Sequence, residues 1–166
     1  MVEVFLSSSN VMYHNGFCIS FIFQGRSPSN CSRARIGITS MEKKRLGIGF
    51  LGGGFISRFH IQSLLGVRDV DVFGVVSKTK QSADDTAALA NELGVGPAKA
   101  FDTITEMIED PDVDALWVCS PNYARIETFE EIADAVSSGK GELIGVACEK
   151  PLGRNVAEAK KVLELT

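Results

Sequence analysis

Arg45-Leu46-Gly47-Ile48-Gly49-Phe50-Leu51-Gly52-Gly53-Gly54-Phe55-Ile56-Ser57 is the stretch that decides the fold of this chain. Its first part, to Leu51, is a short apolar run of strand length, and Gly52-Gly53-Gly54 turns out of it. From Phe55 the pattern is helical, with Ile56, Phe59 and Leu64 on one face. Strand, glycine turn and helix in that order make a phosphate cradle. The glycines let the backbone approach a pyrophosphate, and the helix N-terminus supplies the positive partial charge.

Two overlapping frames match the dinucleotide-binding glycine pattern. Gly47-x-Gly49-x-x-Gly52 satisfies it literally, but it puts glycines inside the strand and its last member before the helix. The frame Gly52-x-Gly54-x-x-Ser57 fits the order better. In it Gly52 makes the turn, Gly54 admits the pyrophosphate and small Ser57 permits close helix-to-strand packing, leaving Gly47 and Gly49 as small strand residues. The competing interpretation is an ordinary glycine-rich loop that binds nothing.

Glu149-Lys150-Pro151 is the second informative element. It closes an apolar run, Leu143 to Cys148, that has the character of a buried parallel strand. A carboxylate and an ammonium are costly at the end of such a strand unless they meet water, a partner or a ligand. Ligands bind outside the carboxyl ends of strands in open α/β sheets, and the proline stiffens the corner that carries Lys150.

Between these two elements strand and helix alternate, which predicts an α/β fold with a doubly wound, Rossmann-like parallel sheet. Asp71 to Val76 is a second strand leading to Ser77-Lys78-Thr79-Lys80, and Ser82 with Asp85 forms a capping box for a helix to about Leu93, ended by Gly94 and Gly96. Lys99 to Phe101 is a third strand, and Thr103-x-x-Glu106 boxes a helix to Glu109. Ala115 to Cys119 is a fourth strand that turns out at Ser120-Pro121-Asn122. The next helix places Ile126, Phe129, Ile132 or Ala133, and Val136 inward and stops at Ser138-Gly139. After the fifth strand, Leu143 to Cys148, Asn155-x-x-Glu158 starts a last helix reaching Thr166. Right-handed crossovers put strands one to three on one side and four and five on the other. The switch-point crevice then lies between strands one and four, flanked by Gly52 to Gly54 and Ser120 to Asn122.

Composition agrees with a soluble globular chain of one ordinary domain, with 45% hydrophobic and 23% charged residues in 166. A net charge of −4 argues against nucleic acid or an anionic membrane as the main partner. The charge is unevenly spread. Residues 1–40 hold eight serines, three arginines and one acid, for +2, whereas residues 41–166 carry 14 basic and 20 acidic residues, for −6. The boundary predicts a poorly ordered extension over 1–40 and a dinucleotide-binding domain over 41–166, with Met41 as its natural beginning. The apolar stretch Phe17 to Phe23 lacks a basic region before it and is too short to span a bilayer, although a transit segment fits the acid-poor leader less well than a plain extension. Cys18, Cys31, Cys119 and Cys148 form no C-x-x-C pair, and with only His14 and His60 the chain offers no zinc spacing. The cysteines suggest a reducing, cytoplasmic setting.

The glycine turn, Ser120-Pro121-Asn122 and Glu149-Lys150-Pro151 together resemble the N-terminal half of the Gfo/Idh/MocA oxidoreductase family, over about residues 45–166. The resemblance implies an NAD(P)-dependent enzyme that moves hydride between nicotinamide and a sugar, polyol or related alcohol. By that likeness Gly52, Gly54, Phe55 and Ile56 contact the pyrophosphate, and Ser120, Pro121 and Asn122 line the nicotinamide side. Glu149 and Lys150 lie near the nicotinamide, with Lys150 the catalytic residue at the reacting hydroxyl. The family also carries a second α/β domain that forms much of the substrate pocket and oligomer contact. Its absence from this chain implies an incomplete catalyst, with homo-oligomers a matter for a full-length form.

Two positions depart from the expected pattern. Dinucleotide folds commonly place an acid after the second strand for the ribose 2′-hydroxyl, yet Ser77 and Lys78 stand there, which favours NADP over NAD. Arg125 falls where many relatives have histidine, and a surface salt bridge and a phosphate contact are both open to it. His60 is expected to be a packed, satisfied histidine. The alternatives carried forward are a non-catalytic nucleotide-binding sensor or interaction module and, less well supported, an S-adenosylmethionine methyltransferase, whose glycine turn would not account for Glu149-Lys150-Pro151.

Overall fold

The computed structural model describes residues 20–22 and 45–166. Its strands are β1 (Ser20–Ile22), β2 (Leu46–Leu51), β3 (Val70–Val76), β4 (Lys99–Phe101), β5 (Ala115–Val118) and β6 (Gly145–Cys148). Its helices are α1 (Phe55–Ser63), α2 (Lys80–Glu92), α3 (Ile104–Ile108), α4 (Arg125–Ser137) and α5 (Val156–Glu164). The sheet order is β1-β6-β5-β2-β3-β4, with β2 to β6 mutually parallel. The expected order therefore holds, and the switch point lies between β2 and β5. Strand β1 adds an antiparallel edge, with Phe21 opposite Ala147. Apart from β1, the leader, with Cys18, Cys31 and His14, lies outside the described residues.

Two apolar layers sandwich the sheet. Ile48, Phe50, Val72 and Val75 pack with Ile61 of α1 and Ala83, Ala87 and Ala90 of α2. Leu51, Leu116 and Val118 pack on the other face with Ile104, Met107, Phe129, Ile132 and Val162 from α3, α4 and α5. Successive residues of β2 feed opposite layers, as the period of two requires. Fully buried Phe50 stacks on Trp117 of β5 with ring centroids 5.4 Å apart. No described helix is long and apolar enough to cross a membrane.

Several local expectations change. The cap of α2 is Thr79, whose hydroxyl accepts from the Ser82 amide, so the helix starts at Lys80. The Ser82 hydroxyl instead donates to the Gly53 carbonyl at 3.0 Å, a tertiary partner that outcompetes the local cap. The fifth parallel strand begins at Gly145 rather than Leu143, since Ile144 has already turned outward and is 53% exposed. On α4 it is Ala135 that points inward while Val136 is exposed, and α5 ends at Glu164, short of Thr166. The other two caps form as expected, with Thr103 accepting from the Glu106 amide and Asn155 from the Glu158 amide.

The glycines of β2 are more than small. A Cβ on Gly47 would lie 1.7 Å from the Asp112 carbonyl oxygen, and one on Gly49 would lie 2.7 Å from the Met107 sulfur. Gly47→Ala is therefore expected to lower stability by about 1 to 3 kcal/mol through overpacking. A Cβ on Gly54 meets open space, so Gly54→Ala should stay within about 1 kcal/mol of the parent protein. Urea denaturation of both variants checks this, and equal midpoints would contradict the packing described.

Candidate functional site

The glycine turn follows directly from β2. Gly52 has φ +121°, a region that side-chain-bearing residues rarely adopt, and its amide donates to the Val76 carbonyl at 2.7 Å. A Cβ there would lie 3.2 to 3.3 Å from the main chain of Cys119 and Ser120, so the turn rests on the exit of β5. Gly53 is the anchored member. Its amide donates to the Ser77 hydroxyl at 3.1 Å, and its carbonyl accepts from Ser82 at 3.0 Å and Thr86 at 3.1 Å.

Gly54 caps α1 in extended conformation with no side-chain cap bond, and no acidic residue occupies the first turn. The first amides of α1 are therefore left to a ligand or water. Phe55 and Ile56 sit exposed on this turn, whereas Ser57 is wholly buried, in keeping with close helix-to-strand packing. Lys78 is exposed on the turn between β3 and α2, one residue beyond Ser77.

The loop after β5 forms the opposite wall. Pro121 is exposed, Asn122 is half-buried at the start of a 3-10 turn, and the Ser120 hydroxyl is buried without a hydrogen-bond partner among the described residues. An orphan hydroxyl of this kind suits a polar ligand group arriving at the edge. The neighbouring Cys119 thiol is pushed up to about 12 and the Cys148 thiol to about 11, in both cases chiefly by burial. Both stay protonated near neutral pH and act as small apolar residues, not nucleophiles.

Beside this wall stands the Glu149-Lys150-Pro151 corner, whose Lys150-Pro151 bond is cis. Glu149 turns inward and lies 2.6 Å from His60 Nε2, while Lys150 turns outward, its side chain 62% exposed and its Nζ 3.8 Å from Glu149 Oε2. His60 is buried and stacks on Trp117 at 4.3 Å, so it is the packed, satisfied histidine expected. The pair ties α1, directly behind the glycine turn, to the lysine corner.

Arg125 departs from one of the two options left open for it. The first residue of α4 is only 3% exposed, so it is no surface salt bridge. Its Nε and Nη2 each donate to the Ser120 carbonyl at 3.2 Å, and Nη1 donates to the Pro151 carbonyl at 2.6 Å and to the Glu149 carbonyl. The structure thus brings the glycine turn, the Ser120 loop and the lysine corner to one edge of the sheet. The carbonyl contacts of Arg125 and the pairing of His60 with Glu149 are what motif spacing missed; for Arg125 the one signal was a basic residue at a helix start, against the macrodipole.

The chain matches known proteins in sequence and in fold. A model of the Gfo/Idh/MocA oxidoreductase family, NAD-binding Rossmann fold, matches residues 46–166. Myo-inositol 2-dehydrogenase of Thermotoga maritima is 34% identical over 119 residues, covering 72% of this chain and 32% of that protein. 1,5-Anhydro-D-fructose reductase of Ensifer adhaerens is 36% identical over 89 residues, covering 54% of this chain and 24% of that protein. The solved structure of myo-inositol dehydrogenase from Lactobacillus casei in complex with NAD(H) and myo-inositol superposes with a TM-score of 0.59 at 25% identity, covering 73% of this chain and 33% of that one. The chain spans about a third or less of the length of these relatives. The methyltransferase alternative falls with these matches: the chain belongs to the Gfo/Idh/MocA oxidoreductase family and carries its NAD-binding Rossmann fold.

Proposed function

We propose that this chain holds a nicotinamide dinucleotide across the carboxyl edge of its sheet, in a protein that moves hydride between that cofactor and a sugar, polyol or related alcohol. The observation that carries the proposal is the meeting of the glycine turn and the lysine corner, linked by the 2.6 Å His60–Glu149 contact. The residues present fit the group. Gly54 faces open space where a Cβ would sit, α1 is uncapped, and the Ser120 hydroxyl is buried without a partner among the described residues. In this proposal Gly52, Gly54, Phe55 and Ile56 hold the pyrophosphate, and Ser120, Pro121 and Asn122 line the nicotinamide side. Glu149 fixes the corner and Lys150 engages the reacting hydroxyl, while the cofactor supplies the hydride chemistry.

The proposal extends to NADP over NAD. Ser77 and Lys78 follow β3 where a carboxylate would repel a 2′-phosphate. The Ser77 oxygen accepts from Gly53, and the hydroxyl keeps its own proton to donate. Asp102 follows β4, whose Phe101 pairs with Val76, and so reaches the same edge; there it is ion-paired with Lys80 at 2.9 Å. That pair offsets its charge beside the site.

Three outcomes test the proposal. Because Gly54 is free of packing, Gly54→Ala should weaken NADPH binding about tenfold or more, equivalent to about 1.4 kcal/mol, while the fold persists. Unchanged affinity in a fluorescence titration would remove the glycine turn from the site. Ser77→Asp should move the NADPH-to-NADH affinity ratio toward NADH by about tenfold, since a carboxylate favours the ribose hydroxyl over a phosphate; an unaltered ratio refutes the preference. The 166-residue chain alone should show no efficient turnover of inositol or glucose with either cofactor. Steady-state turnover followed at the nicotinamide absorbance would overturn that expectation.

A further inference from the structure

Arg125 directs its buried guanidinium at three main-chain carbonyls, with the Cys148 sulfur as a further neighbour. Its acceptors are the carbonyls of Ser120, Glu149 and Pro151. Burying a cation is costly, and a basic first residue opposes the helix dipole, so neither local propensity nor burial favours arginine here. Such a conflict between local rule and structure is characteristic of positions selected for a site.

The acceptors are informative because two of them bracket Lys150. The peptide carbonyls of Glu149 and Pro151 are both held by Nη1, while Nε and Nη2 hold Ser120 on the facing loop. A planar fork with five donors can clamp two loops at once, which a lysine ammonium on a flexible stem cannot do in the same geometry. The Lys150 side chain is 62% exposed, with its Nζ 3.8 Å from Glu149 Oε2, and the main chain on either side of it is what Arg125 holds.

We propose that Arg125 is a positioning residue. By clamping the carbonyls of Ser120, Glu149 and Pro151, it fixes the Lys150 corner against the nicotinamide-side loop and so sets how the dinucleotide's nicotinamide half is received. This inference rests on the cofactor site proposed above and assigns its nicotinamide half a dedicated clamp. The Gly53 anchors of the pyrophosphate half, Ser77, Ser82 and Thr86, are separate from the carbonyls that Arg125 holds, although Gly52 rests on the exit of β5. The two halves of the site should therefore respond differently to loss of the arginine.

The test uses the 166-residue chain and the variants Arg125→Gln and Arg125→Lys. NADPH binding is followed by energy transfer from Trp117, the single tryptophan, to the reduced nicotinamide. Binding of 2′-phospho-ADP-ribose, which lacks nicotinamide, is followed by calorimetry, and amide hydrogen exchange is measured over residues 149–153. Both variants are expected to bind NADPH about tenfold more weakly and 2′-phospho-ADP-ribose within about twofold of the parent, with faster exchange confined to the corner. Equal loss for both ligands, no loss for either, or full recovery in Arg125→Lys would overturn the proposal, as would failure of both variants to fold. A parent chain that binds neither ligand would instead overturn the cofactor site itself, and the clamp with it.

Discussion

Three main-chain hydrogen bonds at the carboxyl end of the sheet govern everything built on it. The Gly52 amide donates to Val76 at 2.7 Å, the Cys119 amide to Leu51 at 2.8 Å and the Glu149 amide to Val118 at 2.9 Å. Each continues a parallel ladder one residue past its strand, so three loops leave the sheet in register. Parallel pairing makes this possible, because all the carboxyl ends then fall on one edge. The glycine turn, the Ser120 loop and the lysine corner are neighbours for that reason, although nearly a hundred residues of chain connect the first to the last.

On this edge charge is distributed by depth. Glu149 and Arg125 are turned into the protein, where each meets a specific partner: a histidine for the carboxylate and carbonyls for the guanidinium. Lys150 is turned out. A buried ionic group is strongly coupled to whatever satisfies it, so these contacts specify geometry more than they add net stability. The His60 ring extends the coupling to Trp117, which stacks in turn on Phe50 of the central strand. The corner is thus braced from α1, from α4 and from the sheet, and the Lys150 side chain is its more exposed part.

Much of this was legible in the sequence, for physical reasons that differ by element. The alternation of apolar runs with 3.6-residue patterns forecast the sheet order because each run is buried on both faces and each helix on one. Gly52 was legible because only glycine adopts its φ comfortably, and Thr103 and Asn155 were legible because their partners are three residues away. What escaped were contacts without local signature. His60 and Glu149 are 89 residues apart, and the carbonyl acceptors of Arg125 belong to the main chain, so no residue type marks them. Ser82 misled for a related reason: it carries a capping residue's chemistry but finds its acceptor across the fold, leaving the cap to Thr79. The tight contact of Gly47 with Asp112 is equally invisible, since it arises where the chain returns before β5.

The contrast between Glu149 and Lys150 bears on how the proposed chemistry could work. Successive residues leaving a strand point to opposite sides, so one step of chain separates a carboxylate whose side chain is 12% exposed from an amine whose side chain is 62% exposed. At that exposure water screens the ammonium, and its pull on a hydroxyl would be a small fraction of what it exerts in a dry site. For Lys150 to polarise an alcohol, something must cover it. The nicotinamide and the substrate are the natural covers, since hydride transfer needs both within contact of the same carbon and binding them displaces that water. On this view the fold contributes a rigid base for the amine and leaves its final environment to be completed by what binds. That is consistent with a corner held from beneath by Arg125 and His60.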